Sequence, residues 1–314
     1  MTDIVSDGLA VTRPATIAEG SSDGPGPTSS QSNYTAPNLT IEGRNGTTYA
    51  YRRFGRAGAV PVLFLQHFRG NLDNWDAALV DDIAAEREVI LMDSSGVGLS
   101  TGTTPHTVIE LARDALAFID ALGVTLIDVV GFSIGGCIAQ EVVLLRPYLV
   151  RRLVLAGTGP RGGRGYHPWA PQIRAMANQD VQDARHILYL FFTTSPDSQA
   201  KGQEFVGRIF TREEGRDVTP ALTARDAQGE ALLEWAVPDF GQLARLAAIT
   251  QPTLVANGDS DRMIPTPNSY LLAGHIPDAR LVIYPDAGHG FLFQFPHEFA
   301  AEVNRFLNED PAAG

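Results

Sequence analysis

Short, nearly continuous apolar runs alternate with segments of helical periodicity along most of the chain, and no other feature restricts the fold as much. Strand-like runs occupy residues 60–68 (VPVLFLQHF), 87–96, 126–133, 151–159, 252–258 and 279–286. Between and after them, residues 75–86, 107–122, 134–145, 267–275 and 291–307 carry apolar side chains at helical spacing. A strand that is apolar on both faces must be covered on both faces, and a helix between two strands permits parallel pairing. The expected class is therefore α/β, with a mostly parallel, doubly wound sheet. Ahead of these units, Asn45-Gly46 lies between two β-prone runs and predicts a hairpin.

The alternation lapses between residues 160 and 240, where the pattern is mainly helical and interrupted by turns at RGGRG, TSPDS and EEG. That stretch is expected to be a helical cap inserted into a core made of residues 38–159 and 241–314. Residues 1–37, rich in Ser, Gly, Pro and Thr, bury too little apolar surface to offset their ordering entropy and are expected to form a disordered tail. A chain of 314 residues with 44% hydrophobic composition can build one large core without cross-links. Its net charge of −12 argues against nucleic acid or an anionic membrane as partner, since both require basic surfaces. No apolar run is long enough to span a bilayer. Cys137 is the only cysteine, which excludes an intrachain disulfide and a cysteine zinc site. With no basic start leading into an apolar run, the expected compartment is the cytoplasm.

Gly131-Phe132-Ser133-Ile134-Gly135 places a serine between glycines, after the strand LIDVV and before the helix IGGCIAQEVVLL. A strained strand-to-helix turn of this kind holds a hydroxyl clear of the sheet, at the positive end of a helix. A serine hydroxyl near neutral pH needs a base. Of seven histidines, His289 alone combines a loop at the end of a strand with a position after Ser133. His67 also ends a strand but precedes the serine, and the other five lie in or beside helices or in the insertion. The imidazole in turn needs a carboxylate to fix its tautomer, and Asp259 and Asp261 both follow the strand PTLVAN. One of the two would close the loop as an Asx turn in any case.

The resulting order, serine then aspartate then histidine, is the order of α/β-hydrolases, and from about Leu39 to Leu307 the chain resembles that superfamily in its serine-nucleophile branch. In relatives the acid falls in a G-x-x-D-x-x-x-P pattern, matched here by Gly258, Asp261 and Pro265, so the resemblance selects Asp261. QHFRGNLDNW resembles the family's His-Gly loop, and DSSGVGLS its D-x-x-G-x-G-x-S loop. The resemblance implies a catalytic triad of Ser133, Asp261 and His289, with the backbone amides of Phe68 and Ile134 as oxyanion donors. Phe68 departs from the glycine usual at its position; the amide survives the change, but the ring must be accommodated elsewhere.

The family's caps often line an apolar pocket with aromatic side chains. Candidates here are His67, Trp169, Tyr189, Phe192, Trp235 and Phe291. The resemblance implies a hydrolase of a small apolar carboxylic ester or lactone that works through an acyl-enzyme, with no cofactor and no metal. Other activities of the same fold stay open: a cofactor-free haloperoxidase type with perhydrolase activity, or a carbon–carbon bond hydrolase. So does a different class, a slow-turnover small-molecule receptor. Epoxide hydrolases and dehalogenases of this fold place Asp where this chain has Ser133, which argues against both.

Overall fold

The computed structural model describes residues 31–166 and 169–309. Among them an eight-stranded sheet has the order β1-β2-β4-β3-β5-β6-β7-β8. The strands are β1 (Leu39–Glu42), β2 (Thr48–Gly55), β3 (Val62–Leu65), β4 (Glu88–Met92), β5 (Ile127–Phe132), β6 (Val150–Ala156), β7 (Thr253–Gly258) and β8 (Ala279–Tyr284). β1 and β2 form the expected hairpin, and β2 pairs antiparallel with β4. Its loop is longer than a two-residue turn: Gly43 N–H donates to Thr47 O, and Gly46 takes φ +80°, a conformation costly for any residue with a side chain. The remaining pairings are parallel. β3, β4 and β5 are buried along their whole length, which is why their residues are apolar apart from Glu88 and Asp128, whose carboxylates pair with Arg53 and Arg151.

Helices α1 (Ala77–Ala84), α2 (Val108–Leu122) and α3 (Ile134–Leu145) connect the central strands. Thr107 caps α2 by accepting from Glu110 N, and Gly123 ends it at φ +67°. The connection through α1 steps from β3 to β4 in one direction, while those through α2 and α3 step the other way. Right-handed crossovers therefore place α1 on one face and α2 and α3 on the other. α1 packs against the last helix and α2 against α3. The chain reverses direction between β3 and β5, and in sheets of this kind the crevice at such a reversal is where ligands bind.

Between β6 and β7 the chain forms α4 (Pro171–Ala177), α5 (Ala184–Phe191), α6 (Pro196–Ile209) and α7 (Leu222–Trp235). A 3-10 helix over Phe240–Ala248 then crosses the expected 240/241 boundary. α8 (Pro267–His275) links β7 to β8. The single helix expected over 291–307 is two, α9 (Phe291–Gln294) and α10 (Pro296–Asn308), because Pro296 has no N–H to continue the first and is suited to begin the second.

Part of the segment expected to be a disordered tail is docked. Asn33 N–H donates to Asp81 and its side-chain amide to Trp75 O, while the Arg212 guanidinium donates to the carbonyls of Asn33 and Ala36. Partners far along the chain supply what local apolar burial does not. Residues 1–30 lie outside the described part. No helix among the described residues is long and apolar enough to cross a membrane.

Candidate active site

Ser133 sits between β5 and α3 with φ 59° and ψ −123°, in the left-handed region that residues with side chains avoid. Such a conformation costs on the order of 1–3 kcal/mol and persists only where its surroundings over-determine it. Ser133 N–H donates to Ala156 O at 2.9 Å, and Ser133 O accepts from Gly136 N–H at 2.9 Å. The neighbouring glycines leave no alternative. A Cβ on Gly131 would strike the carbonyl oxygen of Gly135, and one on Gly135 would strike that of Leu65 at the end of β3. Only Gly at these positions lets α3 begin so close to both strands.

The three side chains singled out in the sequence come together at the carboxyl ends of β5, β7 and β8. His289 Nε2 lies 2.9 Å from Ser133 Oγ, and His289 Nδ1 lies 2.8 Å from Asp261 Oδ2. The bonding is consistent with one tautomer, in which Nδ1–H donates to the carboxylate and Nε2 accepts from the hydroxyl. Asp261 Oδ1 accepts from Met263 N–H at 2.8 Å and Ile264 N–H at 3.0 Å, which fixes the carboxylate. All three residues are buried, so this chain of hydrogen bonds works at low local dielectric. Asp259 plays the other part foreseen for this loop: its carboxylate accepts from Asp286 N–H and Ser260 Oγ–H and closes the turn. The Phe132 ring tilts over His289 at 4.9 Å, with the Phe191 ring edge-on at 5.5 Å.

Phe68 follows β3, whose last residue, Leu65, pairs with Gly131. Its N–H has no hydrogen-bond partner among the described residues, although His67 N–H and Arg69 N–H on either side are both satisfied. Ile134 is the first residue of α3, so its N–H has no acceptor within the helix. The Ile134 N–H thus follows the serine directly, and the Phe68 N–H lies on the loop after β3, the strand paired with β5. The Phe68 ring, displaced by the absence of a glycine here, packs edge-on against Trp169 at 5.7 Å. Trp169 in turn donates from Nε1 to Met263 O.

A cavity of about 50 Å³ opens beside Phe68, lined in part by His67, Phe68, Ile187, Leu190, Phe191 and Met263. His67 Nδ1–H donates to Phe68 O at 2.9 Å, and burial lowers the imidazole pKa to about 4, so the ring is neutral. Not every aromatic residue expected at the pocket is brought to this cavity. Tyr189 and Phe192 line a separate, more open groove on the other side of α5. Trp235 donates to Gly159 O, and Phe291 packs between Tyr284 and Phe299 in the core. Phe191, one of the insertion aromatics that caps of this family place at a pocket, does line the cavity, and the residues missed in the sequence, Ile187 and Leu190, stand on the same face of α5 at i and i+3. Of the remaining histidines, His106 and His297 pair with surface carboxylates, His186 caps α5 and His275 bonds to Leu271 O. His167 lies outside the described residues. No group of three or more His, Cys, Asp or Glu suited to a metal ion occurs among the described residues.

Known proteins with similar sequence or structure agree with this architecture. The family described as alpha/beta hydrolase fold matches residues 60–296. A solved structure described as an alpha/beta hydrolase fold protein from Chitinophaga pinensis superposes with a TM-score of 0.83 at 38% identity, covering 89% of this chain and all of that one. The poly(3-hydroxyalkanoate) depolymerase of Ectopseudomonas oleovorans is 29% identical over 86% of this chain and 92% of its own length. A protein of Pseudomonas savastanoi pv. phaseolicola that carries the name carbamate hydrolase RutD is 26% identical over 79% of this chain and 94% of its own.

Proposed function

The chain belongs to the α/β-hydrolase fold family, and on that premise we propose that it is a serine hydrolase of small, uncharged, apolar carboxylic esters or lactones. The observation that carries the reading is the unbroken relay from Asp261 through His289 to a serine held in a strained turn, with spacings of 2.8 and 2.9 Å. As Ser133 Oγ attacks the substrate carbonyl, His289 Nε2 takes its proton and the Phe68 and Ile134 amides stabilise the oxyanion. His289 then protonates the departing alkoxide and leaves an acyl ester on Ser133. Water, deprotonated by the same nitrogen, attacks that ester and frees the acid, while Asp261 stabilises the imidazolium each time it forms.

The cavity supports the substrate class. Its wall is mainly apolar, and its one guanidinium, that of Arg69, is engaged by the carbonyls of Ala177, Gln179 and Asp180. A mainly apolar wall favours apolar acyl or alcohol groups, whose burial removes apolar surface from water. The inserted helices act as a cap that contributes this wall. The two named relatives cleave, by their names, an ester polymer and a carbamate; the apolar wall fits the former chemistry with a smaller substrate. The test is a turnover screen over acyl esters, lactones, carbamates and vinylogous diketones with Ser133→Ala as control. Many cycles on an ester or lactone, abolished in Ser133→Ala, are expected. Full turnover in Ser133→Ala refutes the mechanism, and near-single turnover with tightly retained ligand identifies a receptor instead.

A further inference from the structure

The loop that carries Phe68 belongs to the core in sequence, yet its external contacts run largely to the inserted helices. Arg69 is buried and adopts φ +63° although it is not glycine. Its Nη1 donates to Ala177 O at 3.1 Å and Gln179 O at 2.5 Å, and its Nη2 to Asp180 O at 3.1 Å. Ala177 ends α4, so the guanidinium caps that helix where unpaired carbonyls gather partial negative charge. The Arg69 main-chain N–H donates to Gln228 Oε1 on α7 at 2.8 Å. Further along, Asn71 Nδ2 donates to Val218 O, and Leu72 N–H is shared between Asp93 of the core and Asp217 of the insertion. The core offers the loop mainly its own internal bonds, Gly70 N–H to His67 O and Gln66 Nε2 to Asn71 O.

We propose that Arg69 and Gln228 are positioning residues through which the seated cap sets the Phe68 N–H, so that the oxyanion site is complete only when the inserted helices are docked. The inference rests on the serine-hydrolase reading. A residue with a side chain holds a left-handed φ only while its surroundings impose it. Here the imposition comes from four hydrogen bonds to the insertion, three at the side chain and one at the N–H. Withdrawing α4 and α7 releases Arg69 to an ordinary φ and reorients the chain at Phe68, immediately before it. In this scheme the guanidinium anchors the loop, with three of its five N–H donors committed to carbonyls of the insertion. Its role is to convert cap closure into a catalytic geometry.

The experiment measures 4-nitrophenyl acetate hydrolysis by Arg69→Met, Arg69→Lys and Gln228→Leu alongside the wild type, with thermal midpoints and hydrogen exchange of the peptide spanning residues 66–72. The small acetyl group reports on the oxyanion site more than on pocket fit. The expected result is a kcat reduced about 10- to 100-fold with KM within about threefold, faster exchange confined to residues 66–72, and partial recovery in Arg69→Lys. Gln228→Leu keeps the test open if Arg69→Met does not fold. The proposal is overturned if the variants keep kcat within about twofold, or if activity falls only in step with the thermal midpoint and Arg69→Lys recovers nothing. A wild type that turns over no ester and takes no fluorophosphonate adduct refutes the serine-hydrolase reading itself, and this inference with it. An active wild type with unaffected variants refutes the inference alone.

Discussion

Replacing Gly135 by alanine tests whether the close approach of α3 to β3 builds the site. The added Cβ would strike the Leu65 carbonyl oxygen and stand 2.5 Å from Leu65 C and 2.8 Å from Gln66 O. These are backbone atoms, so no side chain can swing aside, and restoring ordinary contact requires roughly an ångström of movement. Overpacking of this kind costs about 1–3 kcal/mol, against which alanine in a helix gains at most about 1 kcal/mol over glycine. Taking the full helix gain, the net loss is about 0–2 kcal/mol, or a midpoint lowered by up to about 8 °C in a protein of this size. The movement also separates the ends of β3 and β5, which carry Phe68 and Ser133, and a displacement of that size costs on the order of 100-fold in turnover. Gly207→Ala is the control, because a Cβ there in α6 meets nothing within 4 Å. It should gain about 0.5–1 kcal/mol and leave activity unchanged. Thermal denaturation and kcat/KM on an activated ester measure both variants. If Gly135→Ala matched Gly207→Ala in both, the packing argument would be wrong.

Three further outcomes are expected. Asp261→Asn should lower kcat by roughly 10²- to 10⁴-fold, whereas Asp259→Asn, which disturbs only a turn, should stay within about threefold; steady-state kinetics on one ester separate the two. The folded pKa of His67, about 4, lies below its ordinary 6.5, so between those values the unfolded chain binds the extra proton and His67 destabilises the fold as pH falls. Urea midpoints at pH 6.5 and 4.5 should therefore drop less for His67→Gln than for the wild type. Burial pushes the Cys137 thiol up to about 12, so a thiol reagent at pH 8 should count no thiol in the native protein and one after denaturation.

The sheet was legible because strands buried on both faces have to be largely apolar, as Val62–Leu65 and the run from Val129 to Phe132 show. Ser133 and His289 were legible because each follows an apolar strand-like run and carries distinctive chemistry. Asp261 needed the family pattern, since Asp259 stands equally well at the strand end and differs only in its partners. The Phe68 and Ile134 amides came from resemblance alone, because a backbone N–H leaves no trace in residue type. The pocket wall was the least legible part. Side-chain size suggested Trp235 and Phe291, but tertiary docking turns Ile187, Leu190 and Phe191 towards the cavity and Tyr189 and Phe192 to the opposite face of α5. No sequence signal singled out Arg69. Its partners are carbonyls more than a hundred positions away, which no local pattern encodes.

The most direct measurement of the central claim is the site of covalent attachment of a small fluorophosphonate, read by intact mass and peptide mapping in the wild type, Ser133→Ala and His289→Ala. Because the Ser133 hydroxyl bonds to a histidine that a buried carboxylate orients, the expected result is one adduct, on Ser133, abolished in Ser133→Ala and strongly slowed in His289→Ala. An adduct on any other residue, or a wild type that stays unmodified while denatured-state controls show the reagent to be active, would contradict the account.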